Sequence, residues 1–255
     1  MAGGHVHALY VHQHGRLHHL APQCKLAALV LFVFAVVSTP REAFWAFALH
    51  ALTLAVLARL GGLALGRLGR RLVIEVPFLA FALLLPFVGH GPHTDVAGLS
   101  LSVPGLWGAW NIVAKGTLGV AASVILASTT PVTRILHGLE RLHLPKVFTA
   151  ITGFMVRYLD VTTAEVQRMA VARRSRGYDP RWIWQARAAA STAGTLFIRS
   201  FERGERVHLA MVSRGYDGTL PTFDDEAAPR TDWLACLALP LFATLVSLAA
   251  WTVLR

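Results

Sequence analysis

Charge is scarce in this 255-residue chain. Asp, Glu, Lys and Arg together make up 15% of it, against about a quarter in a soluble globular domain. Hydrophobic residues make up 55% and fall in long runs. That excludes a large water-soluble domain and points to a bilayer-embedded one. Cysteine is nearly absent: Cys24 and Cys236 stand far apart, beside or inside apolar segments. Without metal-ligand spacing or a disulfide framework they are expected to pack as small apolar residues. Also missing are a Gly-x-x-x-x-Gly-Lys-Ser/Thr phosphate loop, a His-Glu-x-x-His helix and any catalytic-triad spacing. ATP binding by that loop and hydrolytic catalysis are excluded with them, so no enzyme and no cofactor are expected. Acidic residues are the scarcer sign, 14 against 24 basic, for a net charge of +10. No aromatic-basic RNA motif accompanies the excess, so nucleic acid is not the expected partner. Membrane proteins gather Lys and Arg in cytoplasmic loops. The first 25 residues are polar and His-rich, with no apolar stretch before a small-residue cleavage site, which argues against a signal peptide.

What is present is apolar runs at about 26–39, 43–60, 72–89, 109–128, 145–159 and 233–252. A spanning helix needs about 20 mostly apolar residues. The second, third, fourth and last runs meet or approach that length. The first is short and ends at Thr39-Pro40. The run at 145–159 contains Arg157 and ends at Asp160, which leaves full and partial entry into the bilayer both open. The fold class expected is all-α: a polytopic membrane protein with five to six transmembrane helices plus long amphipathic helices. Residues 59–71 carry Arg59, Arg67, Arg70 and Arg71 and no acid, whereas 89–108 carry no Lys or Arg. The positive-inside rule makes the first loop cytoplasmic and the second external, with the N-terminus and everything after Thr130 inside. The organisation expected is a His-rich tail (1–20), four spans (21–130), a cytoplasmic helical region (131–217), a polar linker (218–232) and a last span (233–255).

The cytoplasmic region carries most of the chain's charge. Thr130-Pro131 opens a helix at about 131–143, with Val132, Ile135, Leu136, Leu139 and Leu142 at helical spacing. Long helices follow at about 146–176, stopped by Gly177 and Pro180, and at about 182–214, stopped by Gly215 and Gly218. Glu202 and Arg206 form an i,i+4 pair on the second. Both helix ends read Ser-Arg-Gly-Tyr-Asp: 175–179 and 213–217, at an offset of 38 residues. A small residue permits close approach, Arg offers a planar fork of donors, Gly ends the helix, and Tyr and Arg are typical interface anchors. Arg and Gly alone would be ordinary helix-end residues. The duplication of Ser, Tyr and Asp beside them points to two matched docking tips and two receptors, or one symmetric dimer.

The chain resembles the transmembrane T component of energy-coupling-factor (ECF) transporters, the CbiQ/EcfT family, of cobalt type. Three stretches carry the resemblance from about residue 20 to 252. Ala21-Pro22-Gln23-Cys24-Lys25-Leu26 is similar to the family's entry to the first span, matching at Pro22, Lys25 and Leu26. Thr129-Thr130-Pro131 precedes the amphipathic helix and Leu144-Pro145-Lys146. The two Ser-Arg-Gly motifs stand where the family has Ala-Arg-Gly. The resemblance implies coupling helices whose Ser175, Arg176, Gly177 and Ser213, Arg214, Gly215 dock into two ABC-type ATPase subunits. A separate membrane S component would bind the substrate, and the chain would sit multi-pass in the cell membrane. Tyr216-Asp217-Gly218 followed by Leu220-Pro221 is most similar to cobalt-type members. Nickel or a vitamin are the alternatives.

Metal candidates are His5, His7, His12, His14, His18 and His19, since imidazole suits Co and Ni, although a His-rich tail is also an ordinary polar tail. His90, His93 and Asp95 form a second, weaker set. Gly62 and Gly66 are spaced as a small-x-x-x-small helix contact. Asn111 and Lys115 begin the fourth span, near the interface, where Lys reaches water. A stand-alone carrier would show inverted repeats and broken helices. The repeat here lies instead in the long polar helices.

Overall fold

The computed structural model describes residues 16–88, 92–96, 99–177, 186–218 and 228–254. They form two compact units, one of α1 to α7, a small hairpin and α10, the other of α8 and α9. The chain runs α1 (Arg16–His19), α2 (Pro22–Ser38), α3 (Phe44–Leu60), α4 (Leu65–Arg71), a 3-10 turn (Leu72–Glu75), α5 (Val76–Val88), β1 (His93–Val96), β2 (Leu99–Ser102), α6 (Val103–Thr129), α7 (Val132–Arg141), α8 (Lys146–Ser175), α9 (Ala186–Val212) and α10 (Arg230–Val253).

Among the described residues three helical stretches are long and apolar enough to cross a membrane: Leu68–Val88, Val103–Thr129 and Arg230–Val253. The helices α2 and α3 are apolar but only 17 residues each, roughly 25 Å at 1.5 Å per residue, so the second run is as short as the first. The run at 145–159 is no separate span. It is the first half of α8, continuous through the charged residues that follow.

Helix ends differ from expectation where turn chemistry outweighs hydropathy. The helix α6 starts at Val103, six residues before its apolar run, because Ser102 caps it (Oγ accepts from the Gly105 N–H, 3.5 Å) and Pro104 suits the first turn. The polar stretch at 89–108 therefore includes an antiparallel hairpin, His93 opposite Ser102 and Val96 opposite Leu99. The Arg-rich stretch at 59–71 is largely helical, as α4. Gly62 and Gly66 do not share one helix: Gly62 has φ +71° in the turn after α3, and Gly66 lies in α4 with open space where a Cβ would stand.

The apolar unit packs α2 against α10, α6 and α7, and α6 against α3 and α5. Phe32, Ala35, Val36, Phe47, Leu54, Leu118, Ala122, Ile125 and Ala243 fill its centre. The last carbonyls of a helix lack partners inside it, and hydrocarbon offers none. Pro40 prevents α2 from continuing, and neighbouring helices supply the donors. Lys115 Nζ reaches the Val37 carbonyl (2.7 Å), Trp251 Nε1 that of Ser38 (2.9 Å), and Trp110 Nε1 that of Arg41 (3.1 Å). Lys115 thus stands near the middle of α6, not at its start, and closes another helix instead of running along its own to water. Asn111 lies further inside α6 than the sequence implied too, with its Oδ1 buried.

The short helix α7 turns its apolar side onto the start of α2. At Gly138 a Cβ would come within 3.0 Å of Gln23 N, Pro22 C and Leu26 Cδ1. Backbone on both sides cannot yield as a side chain could. Replacing Gly138 by Val is expected to cost about 1–3 kcal/mol, read as a lower thermal midpoint of the detergent-solubilised chain, while Gly66→Ala leaves the midpoint unchanged.

Candidate functional site

The two Ser-Arg-Gly copies share one local structure. The helix α8 ends at Ser175 and α9 at Val212. Ser175 Oγ donates to the Ala172 carbonyl and Ser213 Oγ to that of Ala210, both at 3.0 Å. The Arg176 N–H donates to Arg173 O (3.1 Å) and the Arg214 N–H to Met211 O (3.0 Å). Gly177 and Gly215 follow in the left-handed region, φ +75° and +86°, where a Cβ is strained although the surrounding space is open. In the second copy the Tyr216 N–H returns to Met211 O (3.0 Å), the long bond that closes such a helix end. Arg176 and Arg214 are both exposed, and among the described residues neither side chain has an ion-pair or hydrogen-bond partner. The sequence repeat is therefore a structural repeat with its guanidinium fork free. Tyr178, Asp179 and Pro180 lie outside the described residues, as do Leu220 and Pro221.

Where the tips stand depends on how α8 and α9 pair. Glu165 of α8 is buried and accepts from Arg199 Nη1 (2.7 Å) and Arg203 Nη2 (3.0 Å) of α9, with Arg168 3.7 Å away. Arg173 Nη1 donates to Thr192 Oγ1 (3.0 Å). Beyond Glu165, Phe154, Tyr158, Arg203, Val207 and Met211 line a cleft of about 240 Å³. Residues late in α8 thus face residues early in α9, and the reverse: the helices run antiparallel. Arg176 and Arg214 consequently mark opposite ends of the pair. The Glu202–Arg206 pair stands at 3.9 Å, exposed on both sides.

The Arg199 guanidinium, then that of Arg203, hold the Glu165 carboxyl below the usual carboxylate range by hydrogen bonding. A depressed value means that the contact stabilises the pairing fully above the ordinary glutamate range and weakens as pH falls through the depressed one.

The apolar unit joins two of the resembling stretches directly. Lys25 Nζ donates to Thr130 Oγ1 (3.2 Å), and the N–H of Ala21 donates to Asp232 Oδ2 of α10 (2.9 Å). Cys24 and Cys236 meet, with Ala28, in one buried cluster between α2 and α10, packing as apolar residues. Sequence reading missed Glu75, buried in the 3-10 turn, where it accepts from Thr117 Oγ1 (3.2 Å) and leaves no room for a Cβ on Gly116. An acid inside an apolar run was the signal. For the Glu165 clamp the i,i+4 spacing of Arg199 and Arg203 was visible in the sequence, but not the acid that they face.

Most of the metal candidates fall where nothing is described. His5, His7, His12, His14 and His90 lie outside the described residues. His18 is buried on α1, His19 is exposed, and His93 and Asp95 lie on β1. Among the described residues no group of three or more His, Cys, Asp and Glu side chains is placed to hold a metal ion.

The family model CbiQ, cobalt transport protein, matches residues 13–223. A putative fused cobalt transport protein CbiMQ of Methanocorpusculum labreanum is 28% identical over 60% of the chain, which spans 24% of that protein's length. The energy-coupling factor transporter transmembrane protein EcfT of Staphylococcus aureus is 26% identical over 80% of the chain and 81% of its own length. The cobalt transport protein CbiQ of Rhodobacter capsulatus is 26% identical over 58% of the chain and 59% of its own.

Nitroxides on Ser175→Cys and Ser213→Cys, in a chain with Cys24 and Cys236 replaced by Ala, should lie roughly 30 Å apart or more, given 1.5 Å of helical rise per residue. Double electron–electron resonance reads this distance. A narrow distribution should hold from neutral pH down to about 5 and broaden below the usual glutamate value of about 4.3. In Glu165→Gln it should already be broad at neutral pH.

Proposed function

The chain belongs to the CbiQ family, membrane components of energy-coupling-factor transporters, and from that membership we propose that it is the coupling subunit of an importer. It passes ATP-driven motion from two ABC-type ATPase subunits to a substrate-binding S component. It binds no nucleotide and performs no catalysis itself. It crosses the membrane several times, with its N-terminus, α8 and α9 in the cytoplasm, the orientation that the Arg-rich stretch at 59–71 supports.

The observation that carries the reading is the pair of exposed arginine tips, alike in backbone and opposite in position on one antiparallel helix pair. Ser175, Arg176 and Gly177 dock one ATPase subunit; Ser213, Arg214 and Gly215 dock the other. Two tips at opposite ends suit two receptors better than one groove. Closure of the nucleotide-driven subunits then moves both ends of one rod pair together.

The cargo proposed is cobalt ion. Two relatives are named as cobalt transport proteins, and Tyr216-Asp217-Gly218 follows the second tip. The EcfT relative, whose name carries no metal, aligns over a larger share of the chain, which favours leaving substrate choice to the S component. Nickel and vitamins remain compatible with the same coupling role. Because the chain spans only a quarter of the fused archaeal relative and about three fifths of the Rhodobacter one, the activity of the whole complex is part of this proposal.

Replacing Arg176 and Arg214 together by Ala should leave the chain inserted in the membrane while lowering cobalt uptake and ATPase co-purification roughly tenfold or more, as loss of interface anchors does. Uptake of labelled cobalt and stoichiometric pull-down check this. Wild-type values for both would overturn it.

A further inference from the structure

Between α2, α3, α6 and α10 lies a cleft of about 90 Å³. Leu20, Leu29, Phe32, Leu57, Leu126 and Leu239 wall it, and Lys25 is the one charged residue of its lining. All five of those leucines, Leu20, Leu29, Leu57, Leu126 and Leu239, are part-exposed, so the cleft reaches the surface. Lys25 is 8% exposed. An ammonium carries three donors and no acceptor. Among the described residues Thr130 Oγ1 is the one acceptor it meets. A buried charge with unspent donors is costly. Arg134 and Asp232 both act on it electrostatically, but one Asp232 oxygen is committed to the Ala21 N–H.

The order of groups along the cleft is that of an amphiphile. Lys25 is the fourth residue of α2, at the end of an apolar helix and beside the partial positive charge of its first turn. Leu29 and Phe32 follow at i+4 and i+7, one and two turns deeper, and apart from Thr129 and Cys236 the rest of the lining is hydrocarbon. A soluble anion would find one cation and an apolar slot. A lipid would place its phosphate on Lys25 and an acyl chain along Leu29 and Phe32. Basic pockets between membrane helices take anionic headgroups on this principle. A zwitterionic headgroup would bring its own cation up to Lys25 and Arg134.

We propose that this cleft binds one anionic phospholipid, its phosphate on Lys25 and the first few methylenes of one acyl chain in the slot between α2, α3, α6 and α10, the rest of the chain lying along the open surface. The lipid supplies the acceptors that Lys25 lacks and fills the gap at the junction of four helices. It thereby holds the Lys25–Thr130 contact from which α7 leaves.

The test uses the full chain in detergent, with phosphatidylglycerol and phosphatidylcholine as probes and native mass spectrometry as the readout. One phosphatidylglycerol per chain should be retained, with a preference over phosphatidylcholine of about fivefold, the order expected of one basic residue at a membrane surface. Lys25→Gln should bind both lipids equally, Lys25→Arg should keep the preference, and Arg230→Gln, which removes a charge at the start of α10 outside the cleft lining, should keep it too. Millimolar inorganic phosphate should displace nothing. Equal retention of the two lipids by the wild-type chain would overturn the proposal, as would an unchanged preference in Lys25→Gln. Displacement by inorganic phosphate would show a site for a free anion. The wild-type and phosphate arms decide the matter even if Lys25→Gln fails to fold.

Discussion

The carboxylate of Glu165, gripped across the helix pair by Arg199 and Arg203, is the contact that decides where both arginine tips stand. The helices α8 and α9 expose much of their apolar surface, including Phe148, Met155, Phe197, Phe201 and Leu209, so burial between them fixes their pairing weakly. A charged contact with defined donors fixes direction as well as attraction. Arg173–Thr192 on one side and the cleft by Phe154 and Met211 on the other agree with the same antiparallel arrangement. From that arrangement the tips fall at opposite ends, and with it comes the case for two receptors. Their exposed apolar faces await partners in the proposed complex.

The apolar unit answers a different constraint. Its first two helices are too short to span a bilayer with a margin, and each bare carbonyl at a helix end in hydrocarbon is expensive. Lys115, Trp110 and Trp251 are therefore spent on closing the end of α2 and the turn beyond it. Several polar residues of this unit are accounted for in the same way. Glu75 sits against Thr117 and Gly116, Arg71 donates to Ser128, and Lys25 meets Thr130. The Lys25 contact leaves donors unspent, and the lipid site follows from it.

Much of this was legible in the sequence, for physical reasons. Hydropathy located the apolar helices of the described residues, and Gly177 and Gly215 marked two helix ends because only glycine takes those φ values without strain. The repeat at an offset of 38 residues proved a repeat of backbone as well. Other features were not local. The start of α6 at Val103 is set by Ser102 and Pro104, which lower hydropathy while favouring a helix, and the short hairpin before it carries no long alternating pattern. Gly62 and Gly66 have the right spacing for a helix contact, but α3 ends at Leu60 and Gly66 already belongs to α4. Glu165 with Arg199, and Lys25 with Thr130, are separated by many residues, and no period in a single chain announces such pairs.

The central claim, one ATPase subunit for each tip, is tested most directly by cross-linking. A photoreactive residue placed at position 174 should yield one adduct with an ATPase subunit in the assembled complex, and one placed at 213 should do the same. The account predicts that a chain carrying both forms a species with two ATPase subunits attached. A doubly substituted chain that never captures more than one, with either position alone able to capture it, would contradict the account.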